Sequence, residues 1–142
     1  MFLNKCFDFT DFKQLDIAII SDTHADIVAD IYQLVNSCDL VIHAGDIGSM
    51  EVLKQLRPKM EHVLAVAGNN DKVNMWDVLH CNVVKDLPER LHIKLPGGSL
   101  GIEHGHLVNM NKPSHACLRK SHQGARMVVY GHTHHQLIDN SD

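Results

Sequence analysis

The sequence predicts a single α/β domain, and two observations carry this prediction. Short runs rich in β-branched residues alternate with segments of helical periodicity, first at 16–21, 26–37 and 39–43. The short runs are apolar at nearly every position, which is typical of strands buried on both faces of a parallel sheet. A β-α-β-α-β order implies right-handed crossover connections. A chain of 142 residues is long enough for one such domain.

The predicted elements fill the chain after an N-terminal extension at 1–15, to which no function is assigned, and make 16–142 one domain. The predicted strands are 16–21, 39–43, 62–67, 90–95, 99–103 and 125–130, with 90–95 and 99–103 forming an antiparallel hairpin. The predicted helices are 26–37, 50–56, 71–80 (with Trp76 and Leu79 facing inward) and 113–122.

The C-terminal end of the sequence predicts an incomplete sheet edge. Residues 135–138 have the pattern of a strand start, but only the turn-like 139–142 follows. An unpaired edge invites association. We therefore expect the last residues to be mobile, or this edge to be covered by the N-terminal segment or by another chain, including a second copy in a homo-oligomer.

Composition narrows the functional classes. The formal net charge of −4 argues against a nucleic-acid-binding surface or an anionic membrane surface. No apolar run reaches the roughly 18 residues of a membrane span. The four cysteines are scattered with no closely spaced pair, which predicts free thiols and a cytoplasmic protein.

Five predicted strands are each followed at once by residues that commonly bind metals. They are Asp22 and His24, then Asp46, then Asn69 with Asn70 and Asp71, then His104 and His106, and finally His132 and His134. Because α/β folds bind ligands at the carboxyl ends of their strands, we expect these side chains to converge.

This set of side chains predicts a site for two divalent ions. Carboxylate, imidazole and amide oxygen together suit manganese first, with iron, zinc or nickel as alternatives, and are too rich in nitrogen for calcium or magnesium. Asp46 is the natural bridge between the ions. Such a pair can clamp a phosphoryl group and supply a hydroxide nucleophile. The sequence shows no Ser-His-Asp or Cys-His arrangement that would indicate a side-chain nucleophile instead.

The five motifs in this order resemble those of the calcineurin-like metallophosphoesterases, and the short single domain is similar to the small prokaryotic phosphodiesterase branch. The resemblance runs from about residue 16 to residue 134. It implies one ion held by Asp22, His24, Asp46 and His134, and a second held by Asp46, Asn69, His104 and His132. It also implies two packed mixed sheets flanked by helices, a four-layer sandwich, here with the C-terminal strands of that fold missing.

The implied activity is hydrolysis of a small-molecule or nucleotide-type phosphodiester, with two alternatives left open. One is a phosphomonoesterase acting on a small metabolite. The other is an interaction scaffold, since the superfamily includes a retromer subunit of that kind. The three candidate catalytic residues beside the ions are Asn70, Asp71 and His106.

Position 70 departs from the pattern of many family members, which carry a histidine that protonates the leaving group. Asn70 cannot act as a general acid. The small phosphodiesterase branch commonly lacks that histidine as well, so the departure narrows the class. His106 is either a phosphate-contacting residue or an ordinary loop histidine, and His43, inside a strand, is predicted to be a hydrogen-bonded core residue.

Overall fold

A computed structural model of the chain describes residues 7–140. Its strands are β1 (Phe7–Asp8), β2 (Ile17–Ile20), β3 (Leu40–His43), β4 (His62–Ala65), β5 (Arg90–Leu95), β6 (Gly98–Glu103) and β7 (Met127–Val129). Its α-helices are α1 (Ala29–Asn36), α2 (Met50–Gln55), α3 (Cys81–Asp86) and α4 (His115–Ser121), with a 3₁₀-helix at Val78–His80.

The strands form two sheets. The first has the order β2-β3-β4 and is parallel throughout, with Ile17 opposite Leu40 and Leu40 opposite His62. The second has the order β1-β5-β6-β7. In it β5 and β6 form the predicted antiparallel hairpin, while β1 and β7 each run parallel to their neighbour.

Two apolar clusters divide the molecule into layers. One cluster lies between the sheets, where Leu40 and Ile42 of β3 meet Ile93 of β5 and Ile102 of β6. The other lies between the first sheet and the helices that follow its strands, and joins Val41, Val35, Val52, Leu53 and Val84. His122, directly after α4, is buried against Gly101 of β6, so the C-terminal end of α4 lies on the outer face of the second sheet. The predicted arrangement of two sheets flanked by helices is confirmed.

The predicted helix at 71–80 is wrong. A turn and a bend occupy residues 73–76, and the 3₁₀-helix and α3 begin only at Val78 and Cys81. Trp76 is buried as expected, but Leu79 is 83% exposed. The indole Nε1–H of Trp76 donates to Asp71 at 3.2 Å, so the segment folds back on that carboxylate and does not wind into a helix.

Both ends of the chain also differ from the prediction. Phe7–Asp8 adds a strand beside β5, and Phe9 is buried between the sheets, so this part of the segment 1–15 belongs to the fold. Residues 1–6 lie outside the described part. The segment 135–138 is not a strand, and β1 pairs at the edge of the sheet away from β7, so the described N-terminal residues do not cover that edge.

Two further predictions concern cysteines and membranes. Cys38, Cys81 and Cys117 are free thiols, as expected, while Cys6 lies outside the described residues. Across residues 7–140, every helix is too short or too polar to cross a membrane.

Candidate metal centre

The loops after the strands bring the predicted ligands together through an unusual backbone. Asp22 N donates to the carbonyl of Gly45, and His24 N to that of Asp46, so the first two loops lie side by side. Seven non-glycine residues between 7 and 140 have positive φ, and five of these are predicted ligands: Asp22, His24, Asp46, His132 and His134. This conformation is unfavourable for residues with a Cβ and clusters at functional sites.

Glycines allow the loops to approach the carboxylates closely. A Cβ on Gly68 would lie 2.1 Å from Oδ1 of Asp46, and one on Gly131 would lie 2.6 Å from Oδ2 of Asp22. Because real Cβ atoms do not approach so near, only glycine fits at these two positions. The glycines of the third and fifth motifs therefore serve the packing around the acidic side chains.

The first group of possible ligand atoms comprises Asp22, His24 and His134. His134 Nε2 lies 3.2 Å from Asp22 Oδ1 and 3.4 Å from His24 Nε2. One ligand atom from each residue falls within 4.8 Å of the others. Both histidines face solvent, and the hydroxyl of Ser21 hydrogen-bonds to Asp22.

The second group comprises Asp22, Asp46 and His104, with Asn69 beside them. His104 Nε2 lies 3.4 Å from Asp46 Oδ2, 3.8 Å from Asp22 Oδ1 and 3.1 Å from Asn69 Oδ1. Asp46 and His104 are buried. Asp46 Oδ2 is also 3.8 Å from His24 Nε2, so this one oxygen faces histidines of both groups.

His132 stands slightly apart from these groups. Its ring centroid is 5.1 Å from that of His104, in an edge-to-face arrangement. Its Nε2–H donates to the carbonyl of Met110 at 2.6 Å, and its backbone N–H donates to Asp22 Oδ2 at 3.0 Å.

The protonation of these side chains reflects burial and their neighbours. Burial raises the pKa of Asp46, but hydrogen bonds from His104 and Asn70 outweigh burial and hold this pKa below its ordinary value. Burial lowers the pKa of His104, but its bonds to Asp46 and Ala44 raise it above the ordinary value. Burial lowers the pKa of His106, and electrostatic repulsion from its histidine neighbours adds to this lowering.

The chemistry of the converging atoms fits cations. The Nδ1–H of His104 donates to the carbonyl of Ala44 at 2.8 Å, which leaves Nε2 as the ring nitrogen that can bind an ion. Nε2 faces carboxylate oxygens and the amide oxygen of Asn69, which are all acceptors. Without a metal, a proton on Nε2 is stabilised by these acceptors, which agrees with the raised pKa of His104, and a divalent ion could take the place of that proton. These residues therefore fit divalent ions bound by oxygen and nitrogen.

Of the three predicted catalytic residues, Asn70 and Asp71 are engaged with the protein itself. Asn70 donates to Asp46 from its backbone N and from Nδ2, both at 2.8 Å, and so orients that carboxylate. Asp71 is buried and accepts from the backbone N–H groups of Ile47, Gly48 and Gly68. Asp71 therefore joins the loop that carries Asp46 to the loop that carries Asn69.

His106 lies beside the predicted ligands. Its ring centroid is 5.5 Å from that of His104 and 6.4 Å from that of His132. Its Nδ1 is buried and has no hydrogen-bond partner among residues 7–140. Of the three candidates, it is the one whose side chain is not committed to holding the fold.

Sequence reasoning missed Thr23, which lies between two predicted ligands. Its hydroxyl donates to the carbonyl of Ile47 at 2.9 Å and accepts from His43 Nε2 at 3.0 Å. This confirms that His43 is a hydrogen-bonded core residue. Its position between Asp22 and His24 in the sequence could have pointed to Thr23, but its hydrogen-bond partners, His43 and Ile47, are distant in sequence.

Two archaeal proteins are similar in sequence to this chain. A protein of Methanocaldococcus jannaschii named as a probable metallophosphoesterase is 28% identical over 141 residues, covering 87% of this chain and 61% of the relative. A phosphodiesterase of the same organism is 26% identical over 138 residues, covering 90% of this chain and 78% of the relative. The chain thus spans less than two thirds of the first relative's length.

Solved structures show the same fold. Vps29 from Entamoeba histolytica matches twice at 22% identity. The TM-score is 0.72 for a single mutant, over 90% of this chain and 69% of that one. The TM-score is 0.63 for the wild type in complex with Zn²⁺, over 85% of this chain and 65% of that one.

The sequence profile of the calcineurin-like phosphoesterase superfamily domain matches residues 15–142. Because this match covers nearly the whole sequence, the chain belongs to the calcineurin-like phosphoesterase superfamily.

Proposed function

We propose that this protein is a metal-dependent phosphodiesterase whose predicted ligands hold two divalent ions. The observation that carries the proposal is the convergence of acceptor atoms from separate loops on one small volume. The proposed ligands are Asp22, His24, Asp46, Asn69, His104, His132 and His134. Asp46 serves both ions in this proposal, because its Oδ2 faces His24 on one side and His104 on the other.

The donor set favours manganese, with iron, zinc and nickel as alternatives. When bound, a pair of such ions would neutralise charge on a phosphoryl group and lower the pKa of a nearby water. The chain's own contribution is orientation. Asn70 fixes the Asp46 carboxylate, and Asp71 fixes the loops that carry Asp46 and Asn69.

The preference for diesters rests on the lack of a general acid at position 70. The Asn70 amide carries no titratable proton and is bonded to Asp46. A substrate whose leaving group needs little protonation is therefore favoured over an alkyl monoester. The proposal includes the predicted cytoplasmic location.

The test is hydrolysis by chelator-treated protein with and without added Mn²⁺. We expect no turnover without metal, and faster turnover of bis(p-nitrophenyl) phosphate than of an alkyl monoester such as glycerol 2-phosphate with it. Asp46→Asn should reduce activity by at least about 100-fold, since even residues that only support ligands cost about 10–100-fold. Asp86→Asn, exposed at the end of α3, is the matched control.

Two results would contradict the proposal. Full turnover by the chelated protein would remove the metal from the mechanism. Mn²⁺ binding with no hydrolysis of either substrate would favour the interaction scaffold, and light scattering would then show whether the chain associates with itself.

A further inference from the structure

We propose that Asn109 is a positioning residue that fixes His132 through the loop 106–112. In this arrangement the loop holds the Met110 carbonyl against the His132 ring, so that Nε2 carries the proton and Nδ1 keeps its lone pair for an ion. The role of His132 as a ligand rests on the proposed function. The hydrogen bonds that join Asn109, Met110 and His132 do not depend on that function.

The loop is closed at its base. Gly105, with φ +106°, faces Pro113, and a Cβ on Gly105 would lie 3.1 Å from Cγ of that proline and 3.3 Å from Cδ2 of Tyr130. The backbone N–H groups of Val108 and Asn109 both donate to the carbonyl of Gly105. A short loop whose two ends touch is a compact surface loop of the kind that often carries function.

The tip of the loop is shaped by one side chain. Oδ1 of Asn109 accepts from the backbone N–H of Asn111 at 2.8 Å and from that of Lys112 at 3.1 Å. Asparagine forms turns of this kind with its own following backbone. Met110 lies within this turn, and its carbonyl accepts from His132 Nε2 at 2.6 Å. Residues 109–112 are exposed, so burial does not hold the tip in place.

The contact with Met110 decides which nitrogen of His132 can bind an ion. A histidine ligand commonly donates its other ring N–H to a carbonyl, which fixes the tautomer. His104 follows this pattern with the opposite nitrogen, since its Nδ1–H donates to Ala44. Ala44 is buried in the core, whereas Met110 lies on an exposed loop. Only His132 therefore depends on a side chain such as Asn109 to keep its carbonyl partner in place.

The first measurement is the tautomer of His132 in the metal-free protein, read from imidazole nitrogen shifts by NMR at about pH 8.5, where an ordinary imidazole is neutral. Wild type should show the proton on Nε2. Asn109→Ala removes the acceptor and should give a mixture of tautomers. Asn109→Asp keeps an acceptor oxygen and should restore the wild-type signal. Asn111→Ala keeps the backbone N–H that enters the turn, and is the matched control.

The second measurement is calorimetric titration of the same four proteins with Mn²⁺. Asn109→Ala should weaken one binding step by about tenfold, at the lower end of the effect of outer-shell residues, while Asn109→Asp and Asn111→Ala stay within about twofold of wild type. A His132 protonated at Nδ1 in wild type, or an unchanged tautomer in Asn109→Ala, overturns the inference. A wild type that binds no Mn²⁺ overturns the proposed function instead, and the NMR result still decides the role of Asn109.

Discussion

Replacing Asp71 by asparagine tests whether this carboxylate holds the loops of the metal centre together. Its Oδ1 accepts from Ile47 N at 3.0 Å, Gly48 N at 3.1 Å and the Trp76 indole at 3.2 Å. Its Oδ2 accepts from Gly68 N at 2.9 Å and Ile47 N at 3.1 Å. Every one of these partners is a donor, and Asp71 is only 6% exposed.

The cost of Asp71→Asn follows from these contacts. The asparagine can place its oxygen where Oδ1 stands, but its NH₂ group then faces the Gly68 N–H. A buried donor left unpaired costs about 1–3 kcal/mol, and each bond that loses its charged acceptor weakens by about 1 kcal/mol. We expect a total loss of about 4 kcal/mol in the free energy of unfolding. With a urea m-value of about 2 kcal/mol/M, the midpoint should fall by about 2 M.

The matched control is Asp77→Asn, the same chemical change at an exposed position. Asp77 caps the 3₁₀-helix by accepting from Leu79 N at 2.8 Å, and asparagine caps equally well. The unfolding free energy of this variant should stay within about 0.5 kcal/mol of wild type. A wild-type urea midpoint for Asp71→Asn, or equal losses in both variants, would refute the reasoning.

Two further predictions concern catalysis and pH. Asn70→His should flatten the dependence of the hydrolysis rate on leaving-group pKa, because it introduces an acid beside Asp46; equal slopes in the two proteins would mean that position 70 does not host the acid. Burial lowers the pKa of His43 to about 4, although the negative charge of Asp71 opposes this shift. The neutral ring therefore stabilises the folded chain at neutral pH, and this stabilisation should be lost as the pH falls from about 6.5 to about 4. The free energy of unfolding should be lower by about 2 kcal/mol at pH 5. Urea unfolding at pH 8 and pH 5 should show a smaller difference for His43→Gln than for wild type, and an unchanged difference would contradict the assignment.

The parallel sheet could be predicted from the sequence because its strands are apolar on both faces and end abruptly. β3 is fully buried, and the same property makes Leu40–His43 an uninterrupted apolar run in the sequence until its histidine. The convergence of ligand-type residues followed from the topology, since parallel strands deliver their carboxyl ends to one edge. These features depend on local pattern and simple geometry.

The parts that could not be predicted depend on contacts between distant residues. The spacing of Trp76 and Leu79 fits a helix, but the bond from Trp76 to Asp71 fixes the chain in turns and leaves Leu79 exposed. β1 has two residues, too few for any periodicity, although Phe9 after it enters the core. The role of Asp71 became visible only when its backbone partners, up to 24 positions away, were known.

The positive φ angles of five proposed ligands would link the survival of the protein in a cell to the supply of metal. At about 1 kcal/mol for each residue, this backbone strain is a large part of a typical folding free energy of about 5–15 kcal/mol. Ions that bind only the folded chain offset the strain, by about 2.7 kcal/mol per site at 100 times the dissociation constant. Chains starved of metal would unfold more often and be cleared faster by proteases. The abundance of this protein would then follow the supply of its ion, without any change in synthesis.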